Sequence, residues 1–146
     1  MNLHVLHVFD HSVPLHSGYT FRSANILRGQ HRLGWRTTQL TSPKQGPCPA
    51  EQEQVDELIF HRTRPPTGLA ARLPAVNQWA LMRATQRRLL ALARPLRPDL
   101  LHAHSPVLNA WPAIQVGRQL GIPVVYEIRA FWEDAAVDHG TQPAWG

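Results

Sequence analysis

The chain has 146 residues, 43% of them hydrophobic and 17% charged, which suits one globular domain with a single core and excludes an intrinsically disordered chain. Cys48 is the one cysteine, so no disulfide can form within the chain, and a reducing compartment such as the cytoplasm is indicated. The formal net charge is +5, and 14 of the 15 basic residues are arginines, whose planar guanidinium suits phosphate and carboxylate groups.

Hydrophobic patterning predicts five strands and three helices. The predicted strands are 3–9, 35–41, 55–63, 99–104 and 124–128, and the predicted helices are 21–33, 76–93 and 109–120. Gly34 and Gly121 are the expected stops of the first and last helices, and Pro95 with Pro98 is expected to end the long one. A small hairpin at Asp56 and Glu57 is expected to precede the third strand.

This order of elements predicts an α/β fold, namely a Rossmann-like, doubly wound and mainly parallel sheet with strand order 3-2-1-4-5. No helical pattern follows the last strand, although a sheet of this kind has both faces covered. We therefore expect residues 1–146 to form one domain that belongs to a larger protein or is completed by a partner.

The long predicted helix carries two different faces. Its expected core seam consists of Val76, Trp79, Met82, Leu89, Leu90 and Ala93. Arg83, Arg87 and Arg94 share another face, which suits an anionic membrane surface or, as the plain alternative, a solvated face. No zinc-finger, RRM or KH signature is present, so we expect no nucleic-acid partner.

The fourth predicted strand ends on two histidines. Strand side chains alternate between faces, so His102 and His104 are expected to point the same way. They lie at the carboxyl edge of the sheet, which is where ligands bind in open α/β folds. With Asp10 or His11 from the neighbouring first strand they are also candidate metal ligands.

The loop after the first strand is a second candidate site. Ser17 and Gly18 lie where the next helix begins, and helix amino-terminal amides attract phosphate. Neither G-x-G-x-x-G nor G-x-x-x-x-G-K-[ST] is present, which argues against a dinucleotide-binding enzyme and a P-loop NTPase. We expect the loops after the first, fourth and fifth strands to converge on one cleft.

The segment after the fifth strand is rich in charge. Arg129 lies near Glu127, Glu133 and Asp134, so it can form charge-assisted bonds within the chain or to a sugar or phosphate. Trp132 offers a flat apolar face on which a sugar ring can stack.

Four segments resemble the N-terminal domain of GT-B glycosyltransferases of family 4. They are PLHSG at 14–18, PDLLHAH at 98–104, LGIPVVY at 120–126 and EIRAFWEDAAVDHG at 127–140. The last of these resembles a bacterial subgroup linked to exopolysaccharide synthesis and the PEP-CTERM/exosortase system.

The resemblance implies transfer of a sugar from a nucleotide-sugar to a glycan or lipid-linked acceptor, with retention and without a metal or a further cofactor. In this family the first loop reaches the donor phosphates, a role that carries over to Gly18 and Ser17. The N-terminal domain mainly holds the acceptor, and the donor-binding domain with its E-x7-E motif is absent from this sequence. We expect the chain alone to be inactive, and the full protein to be cytoplasmic, with the arginine helix against the inner membrane surface.

Further roles at the cleft are predicted for residues that the family pattern does not itself assign. The candidate catalytic residues are His104, Arg129 and Glu133, and the candidate acceptor-binding residues are Asp10, His16, His102, Glu127, Trp132 and Asp134. Arg129 stands where many family members have a histidine, and an arginine cannot act as a base at neutral pH. It either locks the loop or holds an anionic acceptor group such as a lipid-linked phosphate, and we favour the second.

Two other classes of function stay open on the sequence. One is a metal-dependent hydrolase built on Asp10, His11, His102 and His104. The other is a basic module that binds acidic lipid or nucleic acid through the arginine helix.

Overall fold

The computed structural model describes residues 2–46, 50–68 and 72–129. Its elements are β1 (His4–Phe9), α1 (Gly18–Arg32), β2 (Arg36–Thr41), a 3₁₀ turn (Pro43–Gln45), β3 (Gln52–Val55), β4 (Leu58–Arg62), α2 (Pro74–Leu96), β5 (Leu100–His104), α3 (Val107–Leu120) and β6 (Val124–Glu127). The six strands form one sheet in the order β3-β4-β2-β1-β5-β6, with every neighbouring pair parallel except β3 and β4.

The predicted α/β fold is confirmed. When the five predicted strands are matched to β1, β2, β4, β5 and β6, the predicted order 3-2-1-4-5 is the observed one. The difference is the additional edge strand β3, which pairs with β4 in an antiparallel hairpin. The hairpin turns at Asp56, which has a φ of 55°, as expected for a position where a short polar side chain tolerates the left-handed region.

The sheet is covered by α1 on one face and by α2 and α3 on the other. Alternation along the strands separates two apolar clusters. The cluster on the α1 face contains Phe9, Ala24, Leu27, Leu58 and Phe60. The cluster on the opposite face contains Leu6, Val8, Leu40, Leu89, Ala93, Leu101, Ala103, Ala113, Val116 and Ile122. Because β1 lies in the middle, its six residues are all buried.

Local capping sets the helix ends. The Ser17 hydroxyl accepts a hydrogen bond from the Thr20 amide, and the Thr20 hydroxyl accepts one from the Ser17 amide, so α1 begins at residue 18 rather than at the predicted 21. Gly34 and Gly121 follow α1 and α3 with φ values of 83° and 70°, as expected of helix stops.

The expectation for the long helix is partly wrong. Trp79 is 57% exposed and Val76 is 42% exposed, although both were placed in the core seam. The fully buried positions of α2 are Thr85, Leu89 and Ala93, so the first turns of the helix reach beyond the core.

Pro95 does not end α2. It lies in the last turn, where the loss of one amide leaves the neighbouring bond from Arg97 N–H to the Ala93 carbonyl intact at 2.8 Å. The helix ends instead at Leu96, because Arg97 adopts the left-handed conformation with a φ of 47°.

The close packing of α3 on the sheet gives a first prediction. A Cβ added at Gly117 would lie 2.5 Å from Cγ2 of Val124 and 2.7 Å from the Ile122 carbonyl oxygen. We expect Gly117→Ala to lower the free energy of unfolding by about 1–3 kcal/mol, because the helix must move away from β6. Urea unfolding measures this change.

The matched control is Gly29→Ala in α1. There the nearest atom to an added Cβ is Nη2 of Arg32 at 3.7 Å, so space is available. Alanine favours a helix over glycine by up to about 1 kcal/mol, and this variant should be as stable as the wild type or more stable. If Gly117→Ala matched the wild type, the tight contact with β6 would be contradicted.

Candidate functional site

Three loops meet at the carboxyl edge of β1, β5 and β6. The Tyr19 hydroxyl accepts a hydrogen bond from the Asp10 amide at 2.9 Å and donates one to the Ser105 carbonyl at 3.1 Å. The Arg129 amide donates to the Ser105 hydroxyl at 3.3 Å. The expected convergence is thus confirmed as far as residue 129, whereas 130–134 lies outside the described residues.

Arg129 turns its guanidinium into the protein. Nη1 donates to the Tyr19 carbonyl at 3.0 Å and to the Ser23 hydroxyl at 2.9 Å, and Nη2 donates to Nδ1 of His104 at 2.8 Å. Nε lies 3.3 Å from Oε2 of Glu127, and the guanidinium carbon lies 4.1 Å from the centre of the Tyr19 ring. The side chain is 6% exposed, so this geometry favours loop locking, and contact with an anionic acceptor stays a prediction.

Three histidines stack on the α1 face of the sheet. His102 and His104 point the same way, as expected, with ring centres 4.1 Å apart. His7 of β1 joins them because it lies directly opposite His102 in the parallel register. Nδ1 of His7 and Nε2 of His104 are 2.9 Å apart, and Nε2 of His7 lies 2.7 Å from Oε1 of Gln30.

Burial controls the charge of this cluster. His7 and His104 are fully buried, and desolvation lowers the pKa of His7 to about 3 and the pKa of His104 far below its usual range. Desolvation also lowers the pKa of His102, although the Glu127 carboxylate opposes this shift. His7 and His104 are therefore neutral at pH 7.

Glu127 is the carboxylate at the exposed rim of the cluster. It ends β6 opposite His104, and its oxygens lie 3.4 Å from Nε2 of His102 and 3.5 Å from Nη2 of Arg22. The side chain is 26% exposed, so it combines a fixed position with access to a ligand.

The loop after β1 is held by its own polar contacts. Nδ1 of His11 lies 2.8 Å from Oδ2 of Asp10, and the His11 ring stacks on Tyr19 with centres 4.7 Å apart. Nε2 of His11 lies 3.4 Å from the Ser17 hydroxyl. Nζ of Lys44 lies 3.8 Å from the other Asp10 oxygen.

A buried arginine anchors the same loop from β4. Arg62 donates to the Ser12 hydroxyl at 2.7 Å and to the Val13 carbonyl at 3.1 Å. Its charge is matched by Glu53 of β3, whose Oε1 lies 2.6 Å from Nη2. The β3–β4 hairpin therefore helps to position the candidate site.

The start of α1 is open. Among residues 2–46, 50–68 and 72–129, no atom outside the adjoining residues and the helix's own backbone lies within 4 Å of a Cβ added at Gly18, so these residues leave room beside the first helical amides. Ser17 uses its hydroxyl as the helix cap. His16 is exposed, and its ring lies 5.5 Å from that of Phe21.

Three predicted site residues lie in a part of the chain that the structure does not describe. Trp132, Glu133 and Asp134 lie outside the described residues. Conversely, the sequence analysis did not single out His7. Its signal is a histidine inside an otherwise apolar strand, which becomes informative only when β1 is paired with β5.

The alternative function, a metal-dependent hydrolase with a four-residue metal site, is not favoured. Within residues 2–46, 50–68 and 72–129, the group of potential ligands that comes together is His7, His102 and His104, with nitrogen atoms within 4.8 Å of one another, and it excludes Asp10 and His11. The His102 and His104 rings are stacked, with an angle of only 17° between their planes. A metal ion bound by imidazole lies in the plane of the ring, and two stacked, nearly parallel rings cannot both meet this condition for one ion. Nδ1 of His104 already accepts from a cationic arginine, which would repel a metal ion.

Solved structures share this fold. The chain superposes on sucrose-phosphate synthase from Thermosynechococcus elongatus with a TM-score of 0.69 and 13% identity, over 93% of this chain and 35% of that one. It superposes on MurG from Acinetobacter baumannii with a TM-score of 0.53 and 14% identity, over 94% and 39%. A C-terminal domain of the PF1911 hydrogenase from Pyrococcus furiosus gives a TM-score of 0.58 and 12% identity, over 85% and 90%. No curated protein matches the chain.

The mainly parallel sheet, covered by helices on both faces, defines a Rossmann-like domain of the kind found in GT-B glycosyltransferases. Residues 17–145 match the family described as glycosyl transferase 4-like domain. The chain belongs to this family, and it spans about a third of the synthase and two fifths of MurG.

The buried histidines predict how stability depends on pH. An unfolded histidine titrates near pH 6.5, whereas folded His7 has a pKa of about 3, so below pH 6.5 the unfolded chain binds more protons. The free energy of unfolding must then fall as the pH decreases from about 6.5 toward 3. We expect His7→Asn to reduce the loss between pH 7 and pH 5 by about 2 kcal/mol, as measured by urea unfolding.

His16→Asn is the control, since it removes an exposed histidine that lies outside the cluster. It should leave the pH dependence of unfolding as in the wild type. Parallel stability profiles for His7→Asn and the wild type would show that His7 titrates equally in the folded and unfolded chains.

Proposed function

We propose that the chain is the acceptor-side domain of a glycosyltransferase that moves a sugar from a nucleotide-sugar to a glycan or lipid-linked acceptor in exopolysaccharide synthesis. The observation that carries this proposal is the convergence of the loops after β1, β5 and β6 at one edge, in a chain that belongs to the glycosyl transferase 4-like family. The assignment to the exopolysaccharide subgroup rests on the resemblance of residues 127–140.

Donor phosphate is assigned to the start of α1. The Gly18 and Tyr19 amides precede the first hydrogen bond within α1, from the Phe21 amide to the Ser17 carbonyl, and a helix amino-terminus attracts anions. The open space beside Gly18 admits a ligand close to the backbone. Ser17 keeps this end of the helix in place through its cap with Thr20.

The acceptor is assigned to the rim formed by the ends of β1, β5 and β6. Glu127 accepts a hydrogen bond from a sugar hydroxyl, and His102 beside it supplies a second polar group to the same hydroxyl or the next. Asp10 and His16, in the loop after β1, are assigned further acceptor contacts. Trp132 and Asp134, in the segment that follows, complete the proposed acceptor contacts.

His104 and Arg129 act by positioning rather than by proton transfer. Both ring nitrogens of His104 lie within hydrogen-bond distance of Arg129 or His7, and its side chain is fully buried. We also propose a catalytic role for Glu133, which follows Arg129 in the sequence. Preorganised groups such as His104 and Arg129 lower the activation barrier of a reaction because they need no rearrangement when charge develops in the transition state.

We expect the purified chain to show no measurable sugar transfer. One wall of a cleft cannot surround the leaving diphosphate, and catalysis depends on enclosing it with preorganised donors. Incubation with labelled nucleotide-sugars and a short polyprenyl phosphate, followed by product separation, measures this. Turnover by residues 1–146 alone would contradict the assignment to one half of a two-domain enzyme.

Ligand binding by the same chain tests the site assignment. In NMR titrations, uridine and guanosine diphosphate-sugars should shift the amide signals of Ser17 and Gly18, whereas free sugars should not. Gly18→Glu should abolish the shifts, because it places a carboxylate where the phosphate binds. Gly29→Glu, with the same charge change near the other end of α1, should keep them.

If no nucleotide-sugar of either class perturbs the first turn of α1, the donor-phosphate role of Ser17 and Gly18 is wrong. If the polyprenyl phosphate perturbs neither Glu127 nor His102, the acceptor role fails independently.

We also propose that α2 faces an anionic membrane. Val76, Trp79, Arg83, Arg87 and Arg94 lie along one side of the helix, with Trp79 57% exposed and stacked on Arg83 at 5.7 Å. An aromatic and aliphatic strip beside arginines suits the interface of an acidic bilayer. Within the part of the chain that is described, no helix is long and apolar enough to cross a membrane.

Vesicle sedimentation tests this surface. Each basic residue near an acidic bilayer contributes about 1 kcal/mol, so Arg83→Glu with Arg87→Glu should weaken binding to phosphatidylglycerol vesicles by roughly thirtyfold or more. Arg32→Glu with Arg118→Glu changes the net charge equally on other helices and should have a smaller effect. Equal weakening by both pairs would assign the attraction to net charge rather than to α2.

A further inference from the structure

A continuous line of hydrogen bonds runs from the carboxyl edge of the sheet into its interior. It begins at Nη2 of Arg129, which lies 2.8 Å from Nδ1 of His104. Nε2 of His104 lies 2.9 Å from Nδ1 of His7. Nε2 of His7 lies 2.7 Å from Oε1 of Gln30 in α1. The loop after β6 is thereby joined to β5, β1 and α1 through two fully buried rings.

The first member of this line fixes the protons on all the others. A guanidinium has donors and no acceptor, so Nδ1 of His104 must be unprotonated. The proton of a neutral His104 then resides on Nε2 and is donated to Nδ1 of His7. The proton of His7 must reside on its own Nε2, where it is donated to Gln30. One arrangement of protons satisfies every contact.

We propose that His7 is a positioning residue, which holds His104 in the tautomer that accepts a hydrogen bond from Arg129 and so fixes the loop after β6 at the cleft. If His104 carried its proton on Nδ1 instead, two donors would face each other across 2.8 Å, and the guanidinium would leave. The contacts of Arg129 with Tyr19 and Ser23 join this loop to α1, so they depend on the same proton.

His7 is well suited to this task because, in the described part of the chain, the hydrogen-bond partner of its Nδ1 is Nε2 of His104. It is fully buried between the sheet and α1, its ring stacks in parallel on Phe9, and it is neutral at pH 7. This role concerns the chain's own geometry and holds whether or not the proposed sugar transfer is correct.

Long-range proton–nitrogen NMR spectra of the wild-type chain give the direct test. We expect His7 and His104 both to appear as neutral rings protonated on Nε2, and the Arg129 Nη protons to appear as separate, slowly exchanging signals. His104 protonated on Nδ1, or protonated on both nitrogens at pH 7, would overturn the proposal. This measurement needs no ligand and no variant.

Two variants of His7 separate positioning from packing. In His7→Asn the amide oxygen replaces Nδ1 as the acceptor, so the tautomer of His104 and the Arg129 signals should be retained although the bond to Gln30 is lost. In His7→Leu the acceptor is gone, and the separate Arg129 Nη signals should collapse through faster rotation and exchange. Retention of those signals in a folded His7→Leu would overturn the proposal.

His4→Leu is the matched control, because His4 is buried in the same strand but on the other face. Its Nε2 bonds the Thr38 hydroxyl at 2.8 Å, away from Arg129. This variant loses a comparable buried contact and should keep the His104 tautomer and the Arg129 signals. If it disturbed them as strongly as His7→Leu, the effect would be general destabilisation, and the specific role of His7 would be wrong.

Discussion

The guanidinium of Arg129 is the contact on which the candidate site depends. It gathers the start of α1, the end of β5 and the end of β6, elements that are far apart in the sequence. Burying a guanidinium without partners is costly, and here three acceptors, the Glu127 carboxylate and the face of Tyr19 surround it. The charge is thus stable only when all three loops are in place, which makes the edge cooperative.

The polar interior behind this edge follows from the same constraint. On the α1 face, the apolar side chains Phe9, Leu58 and Phe60 lie on β1 and β4. The imidazoles of His7, His102 and His104 lie together on β1 and β5. Buried imidazoles are tolerated because they are neutral and hydrogen-bonded to one another. On this face of the sheet, the imidazoles are therefore grouped at β1 and β5, next to the edge that carries the candidate site.

The sequence was sufficient for features that depend on local pattern. The strand order follows from the alternation of strands and helices along the chain, and the shared face of His102 and His104 follows from strand periodicity. The sequence was insufficient for features that depend on contacts between residues distant in the chain. The hydrogen-bond partners of Arg129 lie up to 110 residues away in the sequence. Trp79 is exposed because the first turns of α2 extend beyond the core, and the helical periodicity of the sequence does not show where the core ends.

The fold alone does not select a function, since a hydrogenase domain shares it at 12% identity. What distinguishes this chain is the chemistry of one edge, together with its family membership. That edge is held by internal pairs: Arg62 with Ser12, Tyr19 with Ser105, and Arg129 with His104. These pairs fix the loops of the edge to one another within the chain. A ligand would therefore meet a wall that is already in position, and its binding energy would not be spent on ordering the loops.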